Sequence, residues 1–208
     1  MNILSFDTCL DKTYVTLLCG NEYINRVILS TGENYHSAYL ISTITEVLKS
    51  AKLTPNDLDY IATDIGPGSF TGIRACTTVA RMLAQQLNIG LVGVSSLEIL
   101  SKILGGNDLV ALDARKNKAY FYDKEIKGAI ELEEVDELIK GKKVITDDSL
   151  YSRFTEFGRE VISYQQNDYQ LGEILTRIAE EKIKSNIDTD WRKLKPLYIQ
   201  PPPVFKKN

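Results

Sequence analysis

Two aspartates, Asp7 in "LSFDTCLDKTYVT" and Asp113 in "VALDARKNKAYFY", each close a strand-like run and enter a turn. A carboxylate so placed can hold magnesium or polarise water, and it is also a common structural acceptor for backbone N–H groups. A third stretch, "DIGPGSFTGIRACTTVAR" (64–81), sets Gly66, Gly68 and Gly72 between a strand-like and a helix-like run. Glycines there serve either a phosphate cradle or a tight packing turn. A Walker loop needs a lysine after its last glycine, and Ile73 and Arg74 follow Gly72 instead. The dinucleotide fingerprint is one residue shorter than "GPGSFTG". Both motifs are excluded, which leaves Asp7, Gly66, Gly68 and Asp113 as the candidates for touching a nucleotide. His36 is the sole histidine, with Leu40 four residues on and only Glu46 further along the same helix. A paired helical metal site is therefore not expected, and His36 reads as a capping or packing residue. Serine or cysteine nucleophiles would need a histidine base in a supporting pattern, and none is present.

The elements that must position these residues alternate clearly. Strand-like runs 2–8, 13–20 and 22–29 form a three-strand meander, followed by a helix over 35–51 and a strand over 60–66. A helix over 72–87, a strand over 90–96 and a short helix with a serine cap complete the order βββαβαβα. Offset by 106 residues, Asp7, Lys12 and Tyr14 match Asp113, Lys118 and Tyr120, which suggests a duplicated unit. The second copy offers helices over 132–140, around 149–158 and within 168–185, a strand over 143–148, and only single glycines. "LGGND" (104–108) is the expected boundary, giving lobes 1–105 and 106–208, the latter closing in an extended proline-rich tail.

Composition sets limits. The 208 residues are 43% hydrophobic and 25% charged, ordinary for a soluble globular chain. At net charge −3, with neither half basic, a dedicated nucleic-acid module is excluded, and the cluster at Arg115, Lys116 and Lys118 reads as solvated surface. Cys9, Cys19 and Cys76 have no C-x-x-C spacing, so reduced thiols are expected rather than a disulfide or structural zinc. Asp7 and Asp11 interrupt the first apolar run, so neither a signal peptide nor a membrane span is expected, and the chain is placed in the cytoplasm.

The helix over 72–87 is unusual in carrying only Arg74 and Arg81 as charges. Ile73, Val79, Met82, Leu83 and Leu87 suit a core, while Ala75, Cys76, Thr78, Ala80 and Ala84 are small. Such a helix is covered on both sides, either by a partner or within its own lobe.

A duplicated βββαβαβα unit with an Asp in its first hairpin resembles the two-lobed actin/hexokinase/Hsp70-like (ASKHA) α/β fold, here with a reduced second lobe. Within it, "DIGPGSFTGIR", "LDARKNKAY", "NYHSAYL" and "PLYIQ" resemble the TsaB (YeaZ) family over nearly the whole chain. Gln200 stands where the family usually has arginine, Cys9 where serine or threonine is commoner, and Ala75-Cys76 where a glycine often follows Arg74. The resemblance implies a non-catalytic scaffold subunit in the synthesis of threonylcarbamoyladenosine on tRNA. Its implied partner is TsaD, which transfers the threonylcarbamoyl group to N6 of adenosine in tRNAs reading codons that begin with A, with the ATPase TsaE joining the assembly. TsaD carries two histidines four apart on its first helix, a pair this chain lacks. Pairing with TsaD, or with a second copy, is implied through helices 35–51 and 72–87, with Tyr39, Thr43, Val47, Ala75, Cys76, Val79, Ala80 and Leu83 as the expected contacts. No cofactor is required, although ATP or ADP can occupy the cleft, and tRNA is touched indirectly or weakly. The rival reading is an autonomous small ATPase or kinase-like enzyme working between Asp7 and Asp113.

Overall fold

Alternation is replaced in the first strands by apolar side chains on both faces, the mark of a sheet covered on both sides. In the computed structural model, which describes residues 1–29, 36–106, 108–158 and 160–200, both faces are indeed covered. Strands β1 (Asn2–Asp7), β2 (Thr13–Cys19) and β3 (Glu22–Ile28) form the meander. Strands β4 (Tyr60–Asp64) and β5 (Gly90–Val94) add in parallel beyond β1, giving the order β3-β2-β1-β4-β5. Leu4, Phe6, Val15 and Leu17 point to the side of helices α1 (Leu40–Ser50) and α2 (Phe70–Leu87). Ile3, Tyr14 and Leu18 point to the other side.

The second sheet repeats this plan. Strands β6 (Leu109–Asp113), β7 (Lys118–Asp123), β8 (Glu125–Glu131), β9 (Lys143–Thr146) and β10 (Glu160–Ser163) lie in the order β10-β9-β6-β7-β8. Helix α3 (Ser96–Leu100) ends the first copy, and α4 (Leu132–Ile139), α5 (Asp148–Phe154) and α6 (Leu171–Lys184) lie in the second. The two copies therefore share the order βββαβαβα, the two-lobed ASKHA-like α/β fold. Reduction of the second lobe lies in its first two helices: α4 and α5 have 8 and 7 residues where α1 and α2 have 11 and 18, while α6, with 14, is longer than the 5-residue α3. No helix among the described residues is long and apolar enough to cross a membrane.

Several expectations need correction. Strands β8 and β10 are not signalled by the sequence pattern, the first being interrupted by Gly128 at φ +106° and the second only four residues long. The first helix starts as a 3-10 turn over His36–Tyr39, and Tyr35 lies outside the described residues, as does the tail from 201 to 208. Helix α2 begins at Phe70, two residues early, because Ser69 caps it by accepting from Gly72 N at 3.2 Å. The division at 105/106 separates the sheets but not the packing. Helix α6 lies on β1, β2 and β5 of the first lobe, and α3 reaches β6 and β7 of the second. Residues 188–200 also return to the first lobe: Leu91 N donates to Thr189 O and Leu197 N to Ile65 O, both at 2.8 Å.

Candidate functional site

The glycine turn between β4 and α2 is packed rather than open. Ser69 N donates to Cys9 O at 2.8 Å, and the Thr8 hydroxyl donates to Gly72 O at 2.6 Å. A Cβ at Gly68 would collide with the carbonyl oxygen of Cys9, and one at Gly72 with that of Thr8. Gly66, at φ +98°, lets its N–H reach Asp64 Oδ1 at 2.7 Å. The packing-turn reading thus fits: α2 packs on the fourth strand as expected, and its first turn is held against the β1–β2 turn as well. The Ser69 and Gly72 amides, which a phosphate would need, are already engaged.

The two aspartates have parted company. Asp113 Oδ1 accepts from Arg115 N at 2.8 Å, and the Arg115 guanidinium pairs with its other oxygen at 3.3 Å. Asp7 Oδ1 accepts in the same way from Cys9 N at 2.6 Å, but Asp7 is buried beside Asp64 and does not line the cleft. Burial pushes its pKa up to about 6, against the lowering effect of the Cys9 N–H bond. Burial raises Asp64 well above the carboxylate range, and the Asp7 charge adds to it. Burial likewise pushes the Cys9 thiol well up, helped by its hydrogen bond with Cys76. Cys76 goes the other way: burial opposes its ionisation, but hydrogen bonds with Cys9, Thr8 and Thr63 outweigh that and lower its pKa.

Between the lobes lies a cavity of about 570 Å³. Asp11, Pro67 and Gly68 line it from the first lobe, and Asp113, Arg115, Asp147 and Asp148 from the second. Four carboxylates face one guanidinium there, so the cleft repels polyphosphate unless cations accompany it. Asp11, Asp147 and Asp148 were missed from the sequence because only the closure of two lobes makes them neighbours. A smaller adjoining cavity, about 280 Å³, is where three of the sequence motifs meet. Phe70 stacks near Tyr198 with ring centroids 5.3 Å apart, the Arg74 guanidinium sits 3.9 Å over the Phe70 ring, and Arg115 and Lys116 complete the wall. The basic cluster is largely neutralised, Arg115 by Asp113 and Lys118 by Glu131 at 2.9 Å. The side chain of His36, expected to cap or pack, lies outside the described residues.

Helices α1 and α2 present a second surface. Cys76 and Ala80 are wholly buried against their own sheet, as are Val47 and, nearly so, Thr43, and these four cannot meet a partner. The error has a simple origin: small residues mark close approach, and here it is the sheet that approaches. Tyr39, Ile41 and Met82 are instead 40%, 50% and 52% exposed, with Ala75, Val79 and Leu83 half-buried beside them. Neither Ile41 nor Met82 was among the expected contacts: Met82 reads as core from its spacing, and Ile41 falls off the helical apolar spacing of the first helix.

Two duplicated sheets enclosing a cleft, with α3 and α6 packed between them and the other helices outside, define an actin-like two-lobed protein. A family model described as "TsaD: tRNA N6-adenosine threonylcarbamoyltransferase" matches residues 28–153. The protein named tRNA threonylcarbamoyladenosine biosynthesis protein TsaB of Buchnera aphidicola subsp. Acyrthosiphon pisum is 30% identical over 162 residues, 74% of this chain and 72% of that protein. Its namesake in Buchnera aphidicola subsp. Schizaphis graminum is 36% identical over 127 residues, 57% of this chain and 58% of that one, so the match spans little over half of that relative's length. The solved structure named "YeaZ from Pseudomonas aeruginosa" superposes with a TM-score of 0.75 at 19% identity, covering 95% of this chain and 99% of that one, and shares the fold. The chain belongs to the TsaB family, within the wider group that the TsaD model describes.

Proposed function

We propose that this chain is a non-catalytic subunit of the bacterial, cytoplasmic machinery that makes threonylcarbamoyladenosine on tRNA, and that it binds and stabilises TsaD. The names of its relatives support the pathway. The observation that carries the scaffold reading is the outer face of α1 and α2, where Tyr39, Ile41 and Met82 stay exposed although the opposite sides of both helices are core. Large apolar side chains left exposed on helices whose other sides are core suit a helix-on-helix partner. TsaE joins the assembly through that complex, and a second copy of this chain is the competing occupant of the same face.

The cleft supports a non-catalytic role for this subunit. The turn that would cradle phosphate is filled by Thr8 and Cys9, and four carboxylates line the walls. ATP or ADP would enter only with its cation. In the basic cluster beside the cleft, Arg115 and Lys118 are engaged by carboxylates, so contact with tRNA there is weak and salt-dependent.

Co-expression with the TsaD of the same organism tests the reading. The two chains should co-purify, and the modified nucleoside should form only when both are present. Stable ATP turnover by the pure chain, or retention of tRNA modification in a strain lacking it, would contradict the proposal.

A further inference from the structure

Beneath the glycine turn lies a buried cluster that the scaffold role does not use. Asp7 at the end of β1, Cys9 in the turn after it and Asp64 at the end of β4 are all buried, with ligand atoms within 4.8 Å of one another. Cys76 of α2 places its Sγ 3.5 Å from that of Cys9. Two thiolates bound at about 2.3 Å to one tetrahedral ion stand roughly 3.8 Å apart, so the sulfurs are already near chelating separation. A second observation points to a missing positive charge: Asp7 Oδ2 is buried with no hydrogen-bond partner. Such an oxygen is costly to leave bare and calls for a cation or a proton.

The surroundings hold the donors in place. Cys9 N donates to Asp7 Oδ1 at 2.6 Å, Gly66 N to Asp64 Oδ1 at 2.7 Å, and Ser96 Oγ to Asp64 at 2.7 Å. Hydrogen bonds of this kind orient metal-bound carboxylates. We propose that Asp7, Cys9 and Asp64 form a closed structural site for a divalent transition-metal ion of the zinc class, and that Cys76, whose Sγ touches that of Cys9, turns in from its hydrogen bond with Asp64 O to become the fourth donor. Magnesium and calcium are poor candidates, since both want oxygen ligands and magnesium keeps several waters, which a fully buried site with two sulfurs does not suit. A filled site would tie the β1–β2 turn to β4 and α2 at one point. Ligands in a buried site must be captured as the chain folds, so the ion is acquired then and exchanges slowly.

The test is metal content of the full chain, produced without a metal-affinity step and refolded in the presence of Zn2+ or Co2+. About one ion per chain should remain after desalting, and the cobalt form should show thiolate-to-cobalt charge transfer. Cys9→Ser and Asp64→Asn should lose the ion, and Cys19→Ser, outside the cluster, should retain it. Melting curves accompany each variant. If the variants fail to fold, the wild-type chain still decides: a natively folded protein holding under about a tenth of an ion per chain, with no charge-transfer band, overturns the proposal and leaves Asp7 sharing a proton with Asp64. Metal retained in a folded Cys9→Ser chain, or an intact mass showing Cys9 and Cys76 joined as a disulfide, overturns it as well.

Discussion

The same two residues close the fourth strand of each copy of the fold: Thr63-Asp64 end β4, and Thr146 ends β9 with Asp147 directly after it. Both threonines bond back to the first strand of their lobe, Thr63 to Phe6 O at 3.2 Å and Thr146 to Ala111 O at 2.7 Å. Beyond these threonines the two lobes diverge. Asp147 directly caps the 7-residue α5, accepting from Ser149 N and Leu150 N, and its other oxygen accepts from Asp113 N at 2.7 Å. Asp64 is instead turned inward against Asp7, and a glycine turn carries the chain to an 18-residue helix. One junction leaves its carboxylate at the cleft rim, and the other buries it to bring a long helix down onto the first hairpin. The longer helix is what carries the exposed Met82 on its outer side.

That contrast can be broken at Gly72. Gly72→Ala drives a methyl group into the Thr8 carbonyl and should cost about 3 kcal/mol or more, read as a large fall in melting temperature or loss of soluble protein. The next effect is electrostatic. In the metal-free chain, Asp7 moves from the ordinary 3.8 unfolded to about 6 folded, so the folded state binds more protons between those values. Stability is then fully present below pH 3.8 and lost as pH rises through 6, a swing on the order of 3 kcal/mol. Asp7→Asn keeps the acceptor for Cys9 N and should remove the Asp7 share of this dependence while leaving that of Asp64, raising stability at pH 8 and not at pH 3.5. Denaturant titrations at both pH values check it. The smallest effect belongs to the second lobe, where Asp147→Ala removes a helix cap and should cost about 1 kcal/mol.

Much of this was legible because the local signals agree with the fold. The Asp7 and Asp113 hairpins matched at a fixed offset, and both form the same aspartate turn, with N–H donated from two residues on. Ser95 caps α3 as the sequence indicates, accepting from Glu98 N. The illegible part is what only tertiary contact creates. Cys9, Asp64 and Cys76 share no metal-ligand spacing, so nothing along the chain announces that three elements deliver them to one point. Cys76 and Ala80 show a second limit: helical spacing puts them on one side but does not say whether that side meets a partner or the sheet. Burial decides for the sheet.

The outer face of α2 carries the central claim, and Met82, 52% exposed, is the place to test it. Affinity of Met82→Arg for TsaD, measured by calorimetric titration beside the wild-type chain, should fall by about a hundredfold or more, because a charge enters an apolar contact. Its melting curve should stay within about half a kcal/mol of wild type, since the side chain lies outside the core. A folded Met82→Arg chain that binds TsaD as tightly as wild type would show that the partner does not dock on this face.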